Sequence, residues 1–157
     1  MLIHNSAELK AILLPKIKES IRQTQDQVYD LIHKYLLQYY HEFTPEYYYR
    51  TQQLLNSLVR SEITETPNGY RAEVYFDLTA MNYTMKKIKV RKYTSKGYIR
   101  NNDWDGKREM ELAGKGYHSK RPVIRGTAVW DTPKAELDSK LIQMLVANLK
   151  ANGIPIK

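Results

Sequence analysis

The sequence predicts a single α+β domain over residues 1–157, with a long N-terminal helix, a second helix, a twisted antiparallel sheet with a hairpin, a long loop and a C-terminal helix. Three patterns lead to this prediction: helical spacing of apolar residues from Lys16, an Asn-Gly pair between two alternating runs, and a proline-led amphipathic stretch near the end. A chain of 157 residues with 42% apolar content can bury its own core. The composition therefore argues against a largely disordered protein.

The N-terminal region is predicted to be helical. Ser6 is a candidate N-cap for a short helix from Ala7 to Leu13, which Pro15 interrupts or kinks. From Lys16 to about Tyr40, apolar residues recur every three, four or seven positions, which indicates one long amphipathic helix. At ~1.5 Å per residue it would be roughly 36 Å long, more than a compact domain of this size easily covers. We therefore expect it to pack against a neighbouring subunit.

The next region combines a helix with a hairpin. Thr44 as N-cap and Pro45 at the first helical position predict a second helix that runs to about Leu58. Asn68-Gly69 then separates two roughly alternating runs, and both residues of such a turn need positive φ. The pattern predicts a hairpin in which residues 60–66 pair with residues 70–77.

The C-terminal half alternates between turn signals and short apolar runs. Residues 79–121 show no clean period and predict a long mobile loop, whereas Val123-Ile124 and residues 127–130 are typical of a brief strand. Thr132 is the predicted N-cap of the last helix, with Pro133 at its first position and Gly153 at its end. The final residues, 154–157, fit either an edge strand or a tail. One face of the last helix is lined by Leu137, Leu141, Ile142, Leu145, Val146 and Leu149.

Charge is concentrated in one segment. The chain carries +8, and residues 86–125 hold 13 Lys and Arg against four acids, so the remainder is close to neutral. Such a segment is typical of a solvated loop, of a nucleic-acid contact through salt-dependent phosphate binding, or of a contact with an acidic protein surface. The longest uncharged apolar stretch is four residues, so we expect no membrane span, and Glu8 and Lys10 argue against a signal peptide.

Tyrosine is unusually frequent, with 13 residues against two Phe and two Trp. Tyr combines a large apolar face with a polar tip, which suits surfaces that are buried on assembly, although partly exposed tyrosines are also common in monomers. The run Tyr47-Tyr48-Tyr49 cannot place all three rings in one core, because consecutive helical residues point about 100° apart. At least one ring is expected to face solvent or another chain.

The residues give no recognisable catalytic or metal-binding pattern. The four histidines are far apart, and the absence of cysteine excludes disulfides and thiolate sites and fits a reducing compartment. Gly114-Lys115-Gly116 lacks the frame of a phosphate loop, and Glu73 and Asp77 lack the lysine expected beside nuclease carboxylates. We therefore expect a protein that is not an enzyme and that uses no cofactor or metal.

A resemblance to a known family supports this expectation. The chain contains the run Pro45-x-x-Tyr48-Tyr49-Arg50-Thr51-x-x-Leu54-Leu55-x-Ser57-Leu58, followed by the Asn-Gly hairpin that ends in Val74-Tyr75-Phe76-Asp77. It resembles the head–tail joining (tail-completion, or neck) proteins of long-tailed bacteriophages, and Glu111-Leu112-x-x-x-Gly116-Tyr117-His118 is similar to a loop of that family. Many members carry Pro-Phe-x-x-Pro-Ala before the last helix, where this sequence has Val129-Trp130-Asp131-Thr132-Pro133.

The resemblance implies a structural virion protein, made in the host cytoplasm, that forms a ring, commonly sixfold, between head-closure and tail-tube proteins. DNA passing through the channel would be a further partner. We expect structural roles for the two residues that follow the tyrosine run, with Arg50 bridging to an acid such as Glu46 or Asp77 and Thr51 packing beneath the sheet. The predicted subunit interface comprises Tyr47, Tyr48, Tyr49, Arg50 and Tyr75. The predicted partner or DNA contacts are Lys86, Lys87, Lys89, Arg91, Lys92, Lys96, Arg100 and Trp104.

An alternative reading is a stand-alone basic module that binds nucleic acid. It would place residues 86–100 on phosphates and use Tyr93 or Tyr98 for stacking. The basic residues lie in a turn-rich stretch without a helix-turn-helix signature, which argues mildly against this reading.

The tyrosine run yields the first prediction. Replacing Tyr48 with Ala should weaken assembly more than folding, because the lost ring belongs to a surface between subunits. Light scattering measures the oligomer directly. An oligomer unchanged by the substitution would contradict the assignment of Tyr48 to an interface.

Overall fold

The computed structural model describes residues 5–42, 52–81, 113–115, 117–120, 123–125 and 128–156. Its long first helix, short antiparallel ladders and C-terminal helix confirm the α+β prediction. The helices are α1 (Ser6–His41), α2 (Gln53–Asn56) and α3 (Asp131–Ala151), and Leu78–Met81 form a 3-10 turn. The strands are β1 (Leu58–Arg60), β2 (Thr64–Thr66), β3 (Gly69–Arg71), β4 (Val74–Phe76), β5 (Tyr117–Lys120) and β6 (Val123–Arg125).

The first helix is continuous, so the predicted interruption at Pro15 is wrong. Pro15 lies inside α1 and is exposed to solvent, and its ring removes only one backbone hydrogen bond from a helix of 36 residues. The N-cap is Asn5 rather than Ser6: the Asn5 side chain accepts from the backbone N–H of Glu8 at 2.8 Å. At ~1.5 Å per residue, α1 is about 54 Å long, well beyond the ~40 Å diameter of a compact domain of this length.

The predicted hairpin is confirmed, but it is split into two ladders. Strands β2 and β3 form the tip and β1 and β4 form the base, both antiparallel. Between them, the three residues 61–63 lie opposite only two, Ala72 and Glu73, which is a one-residue bulge. The tip turn is centred on Pro67 and Asn68, so the expected Asn-Gly turn with two positive φ angles is wrong: Gly69 alone takes positive φ there, at 139°.

A glutamine of α1 holds this bulge. The buried Gln25 side chain donates through Nε2 to the carbonyl oxygens of Ser61 and Glu73, each at 2.9 Å. Across the bulge, the Ser61 N–H donates to the Glu73 carbonyl at 2.9 Å, and the Ser61 hydroxyl accepts from the Glu73 N–H at 2.9 Å. The Gln25 amide thus adds a donor from the helix to both carbonyl groups, and the Glu73 carbonyl accepts two hydrogen bonds. These bonds therefore fix the position of the bulge along α1.

Apolar burial is concentrated below the hairpin, where α1 meets α2, β1 and the start of α3. Leu54 and Leu58 arrive from α2 and β1, and Val129 from the turn before α3, where its N–H donates to the Ala113 carbonyl at 3.0 Å. Partly buried residues, among them Phe76 and Leu137, surround this cluster. The buried apolar residues are Ile32, Leu36, Leu54, Leu58, Ala113 and Val129.

The last helix begins earlier than predicted and ends as predicted. It starts at Asp131 after Trp130, so Thr132 is not the N-cap and Pro133 occupies the third helical position. Proline is tolerated there because the first-turn N–H groups have no partner within the helix. At the other end, Gly153 at φ 74° donates to the Lys150 carbonyl and Ile154 donates to the Leu149 carbonyl, which is a Schellman motif.

Three smaller predictions require correction. The second helix predicted from Pro45 to Leu58 is not continuous within the described residues: Gln52 has a left-handed backbone (φ 57°), α2 covers Gln53–Asn56, and Leu58 is already in β1. Within the loop predicted over 79–121, residues 117–120 form β5, which pairs with β6. Residues 129–130 form a turn rather than the end of a strand, and residues 154–156 form no strand.

Gln25 provides a test of this architecture. Replacing Gln25 with Ala leaves two carbonyl oxygens without their side-chain donor, and we expect the free energy of unfolding to fall by about 1–3 kcal/mol. The matched control is Gln38→Ala on the exposed side of the same helix, where the change should stay within about 0.5 kcal/mol. Urea unfolding of both variants measures the difference, and equal stabilities would show that the bulge does not depend on Gln25.

Candidate assembly surfaces

The upper contact between α1 and α3 is polar, and we call it the amide seam: Ser20, Gln23, Thr24 and Gln27 of α1 with Asn148 and the C-cap Asn152 of α3. The Nδ2 of buried Asn148 donates to Thr24 Oγ1 at 2.9 Å and to Gln27 Oε1 at 3.0 Å. The Nδ2 of Asn152 donates to Ser20 Oγ and Gln23 Oε1, both at 3.0 Å. These bonds fix both the height and the rotation of α3 on α1, because each amide must meet a partner at one position.

The lower contact between the same helices is an acid–phenol–amine cluster. The Tyr35 hydroxyl donates to Glu136 Oε2 at 2.8 Å, and Lys140 Nζ donates to Glu136 Oε1 at 2.7 Å. These two hydrogen bonds, that of Lys140 first, lower the pKa of Glu136 below its ordinary value. The same carboxylate raises the pKa of Lys140 and, through its hydrogen bond, that of Tyr35. The cluster therefore favours an ionised glutamate between two protonated donors.

Because Asn148 and Asn152 of α3 face α1, part of the apolar face of α3 is turned outward, although Leu137 packs against the core. Ile142 is 77% exposed and Leu141 is 43% exposed, while Leu145, Val146 and Leu149 are half-buried. The helix carries the apolar set predicted from the sequence, yet its buried residues are Pro133 and Asn148. An apolar strip on an ordered helix, held outward by hydrogen bonds, is typical of a surface that another chain covers.

A second exposed surface lies on the base of the hairpin. Tyr75 of β4, 47% exposed, turns away from the core while its neighbour Phe76 packs edge-on against Trp130, with ring centroids 6.0 Å apart. Leu78, two residues after the end of β4, is also exposed. Among the described residues each ladder has two strands, so each strand has one edge without a strand partner.

The predicted site residues divide between described and undescribed parts of the chain. Tyr75 lies on the exposed surface of β4. The residues Tyr47, Tyr48, Tyr49, Arg50 and Thr51, and the basic set from Lys86 to Arg100 with Trp104, lie outside the described residues. Asp77, a candidate partner of Arg50, accepts from the backbone N–H and the hydroxyl of Thr79.

The described residues contain no group of three or more His, Asp or Glu side chains that could hold a metal ion. Glu73, considered above as a nuclease carboxylate, is ion-paired with Arg71. A shallow depression of 460 Å³ at the end of α3 is lined by Lys150 and by residues 153–156 and opens widely to solvent. Within the described ranges, no helix is both long enough and apolar enough to cross a membrane.

Sequence reasoning missed the structural role of the buried amides. By helical spacing alone Gln25 is one of the polar residues between the apolar positions of α1, yet it is buried and contacts the hairpin, and Asn148 is buried within a helix whose spacing indicates an apolar face. A signal was present: Ser20 and Thr24 on α1, and Asn148 and Asn152 on α3, are each four residues apart and share a face. On α3 that polar pair does not share the side on which Ile142 lies.

The cluster around Glu136 predicts a pH dependence. Because the folded pKa of Glu136 is lowered, its stabilising contribution is present above the ordinary glutamate pKa of about 4.3 and is lost as the pH falls through the folded value. We expect Glu136→Gln to destabilise the protein slightly at neutral pH, with the gap from wild type closing below about pH 4. Thermal unfolding against pH measures this, with Glu62→Gln as the control for charge. A gap that is constant from neutral to acidic pH would contradict the role of the ionised carboxylate.

Comparison with known proteins identifies a family but no individual counterpart. No curated protein and no solved structure gives a significant match. The model of the family YomN matches residues 5–151, from the N-cap of α1 to the last residue of α3. This family is phage-related. Because the match covers nearly the whole chain, the protein belongs to the YomN family.

Proposed function

We propose that this protein is a non-enzymatic structural component of the phage particle that assembles as a ring, commonly sixfold, at the head–tail interface. In this role it joins the head-closure complex to the tail tube as a neck or tail-completion protein. Membership of a phage-related family and the resemblance around residues 45–77 support the proposal. The observation that carries it is the exposure of large side chains at the base of the hairpin, Tyr75 on β4 and Leu78 just beyond that strand.

The shape of the domain also favours assembly. Helix α1 is longer than a compact domain of this size, and its first residues, 5–11, are all exposed. The contacts between α3 and α1 run from Tyr35–Glu136 at one end to Ser20–Asn152 at the other, so the first turns of α1 extend beyond them. A protruding helix and open strand edges supply contacts that a ring subunit needs on two different sides.

The basic segment fits the same role. Residues 86–125 hold the whole net positive charge of the chain, as expected for a part that contacts an acidic neighbouring ring or the DNA in a channel. Affinity for a short duplex at two salt concentrations separates this role from a dedicated nucleic-acid binder. A stand-alone binder should bind tightly as a monomer and lose about a decade or more of affinity between low and physiological salt.

The test is a phage in which this gene is inactivated. If the protein completes the neck, lysates should contain filled heads and finished tails that are not joined, visible by negative-stain electron microscopy. Adding the purified protein to the lysate should restore joined particles, and a Tyr75→Ala variant that folds normally should restore fewer. Normal joined particles without the protein, or heads that fail to fill, would overturn the proposal.

A further inference from the structure

The outward face of α3 is an exposed apolar surface that we expect another chain to cover. Ile142 is the most exposed of the large apolar residues in the described structure, and exposed Leu141 adjoins it. The face cannot be turned inward without breaking the amide seam, because Asn148 and Asn152 bind α1 from another side of the helix. An occupant must therefore come from outside the described residues.

The charges of α3 indicate what kind of occupant fits. Glu136 and Lys140 pair with each other beside Tyr35 of α1, which leaves Asp131, Lys134 and Asp138 in the first half of the helix, net −1, and Lys150 in the second half, net +1. The most exposed apolar residues, Leu141 and Ile142, lie at the midpoint between these halves. A helix with this pattern is complementary to itself when reversed, because the acidic half of one copy then lies beside the basic half of the other.

We propose that the outward face of α3 binds α3 of a second copy in an antiparallel, two-fold contact centred on Ile142. The +8 charge of the chain does not oppose this contact locally, because α3 itself is neutral and the excess lies in residues 86–125. The antiparallel arrangement also aligns opposite helix dipoles. A two-fold contact closes at two copies, so this pair is independent of the proposed ring and does not rest on it.

The size of the face sets the conditions of the test. A helix of 21 residues is about 31 Å long, so its face alone buries less than the ~800 Å² per partner of a standard stable interface. The pair is accordingly of the weak class, and sedimentation equilibrium should run to about 1 mM protein. We expect twice the 18.5 kDa chain mass at the upper concentrations, with Ile142→Asp raising the dissociation constant about 100-fold or more. Gln143→Asp, the same change about 100° away on the helix, is the matched control.

Disulfide crosslinking tests the register of the two paired helices, and because the chain has no cysteine, no native thiol competes with the introduced one. Ile142→Cys should form a crosslinked dimer under mild oxidation, well above the level of Gln143→Cys. Ala135→Cys and Leu149→Cys should crosslink when the two variants are mixed, and neither should crosslink efficiently by itself. Circular dichroism of each variant establishes that the fold is kept, which is expected because Ile142 contributes little to the monomer core.

Three outcomes would contradict the proposed antiparallel contact. A wild-type monomer at every concentration would overturn the proposal and leave the face to another particle protein. A dimer insensitive to Ile142→Asp would place the contact elsewhere, and self-crosslinking of Ala135→Cys would indicate a parallel pair. Failure of head–tail joining in the phage would leave the dimer measurements untouched, so the two proposals fail separately.

Discussion

The amide of Asn148 lies buried between α1 and α3 and donates to Thr24 and Gln27, and this contact determines how α3 is placed and rotated on α1. The buried apolar cluster lies at the other end of the interface, so the upper half is held chiefly by directional bonds. A hydrophobic contact tolerates rotation of a helix, whereas an amide that must reach two acceptors does not. Rolling α3 to bury Ile142 would break both bonds of Asn148 and would set an apolar side chain against the buried hydroxyl groups of Ser20 and Thr24. The asparagine thus specifies which side of α3 is inside, much as a buried Asn specifies register in a coiled coil.

The same logic connects α1 to the sheet. Gln25 lies one residue after Thr24, so the helix segment that holds α3 also holds the bulge of the hairpin. The hairpin base and α3 are therefore placed relative to one another by neighbouring residues on one helix. As a result, the exposed Tyr75 and the exposed Ile142 belong to surfaces with a fixed mutual orientation. Subunits that join through two different contacts need such an arrangement.

The sequence was sufficient for features governed by local physics. The helical spacing of α1, the hairpin and the glycine stop at Gly153 were all predictable, because periodicity and turn chemistry depend on nearby residues. The exact starts of α1 and α3 were not, since Asn5 and Ser6 are both good caps and Pro133 is acceptable at any first-turn position. The outward position of the Ile142 side chain could not be predicted from nearby residues. It depends on which side of α3 finds partners on α1, and that is decided by pairs more than 120 residues apart.

The bulge between the two ladders of the hairpin has a practical consequence for labelling. The Gln25 contact divides the hairpin into two parts. Strands β1 and β4 lie in the part that packs against the rest of the protein, whereas β2 and β3 form the tip and pair only with each other among the described strands. An insertion at the Pro67–Asn68 turn can alter the pairing of β2 with β3 without altering that of β1 with β4, because the extra residue of the bulge already separates the two registers. A short epitope or fluorophore inserted at this turn should therefore report the position of the protein in a particle while leaving α1, α3 and their exposed faces intact.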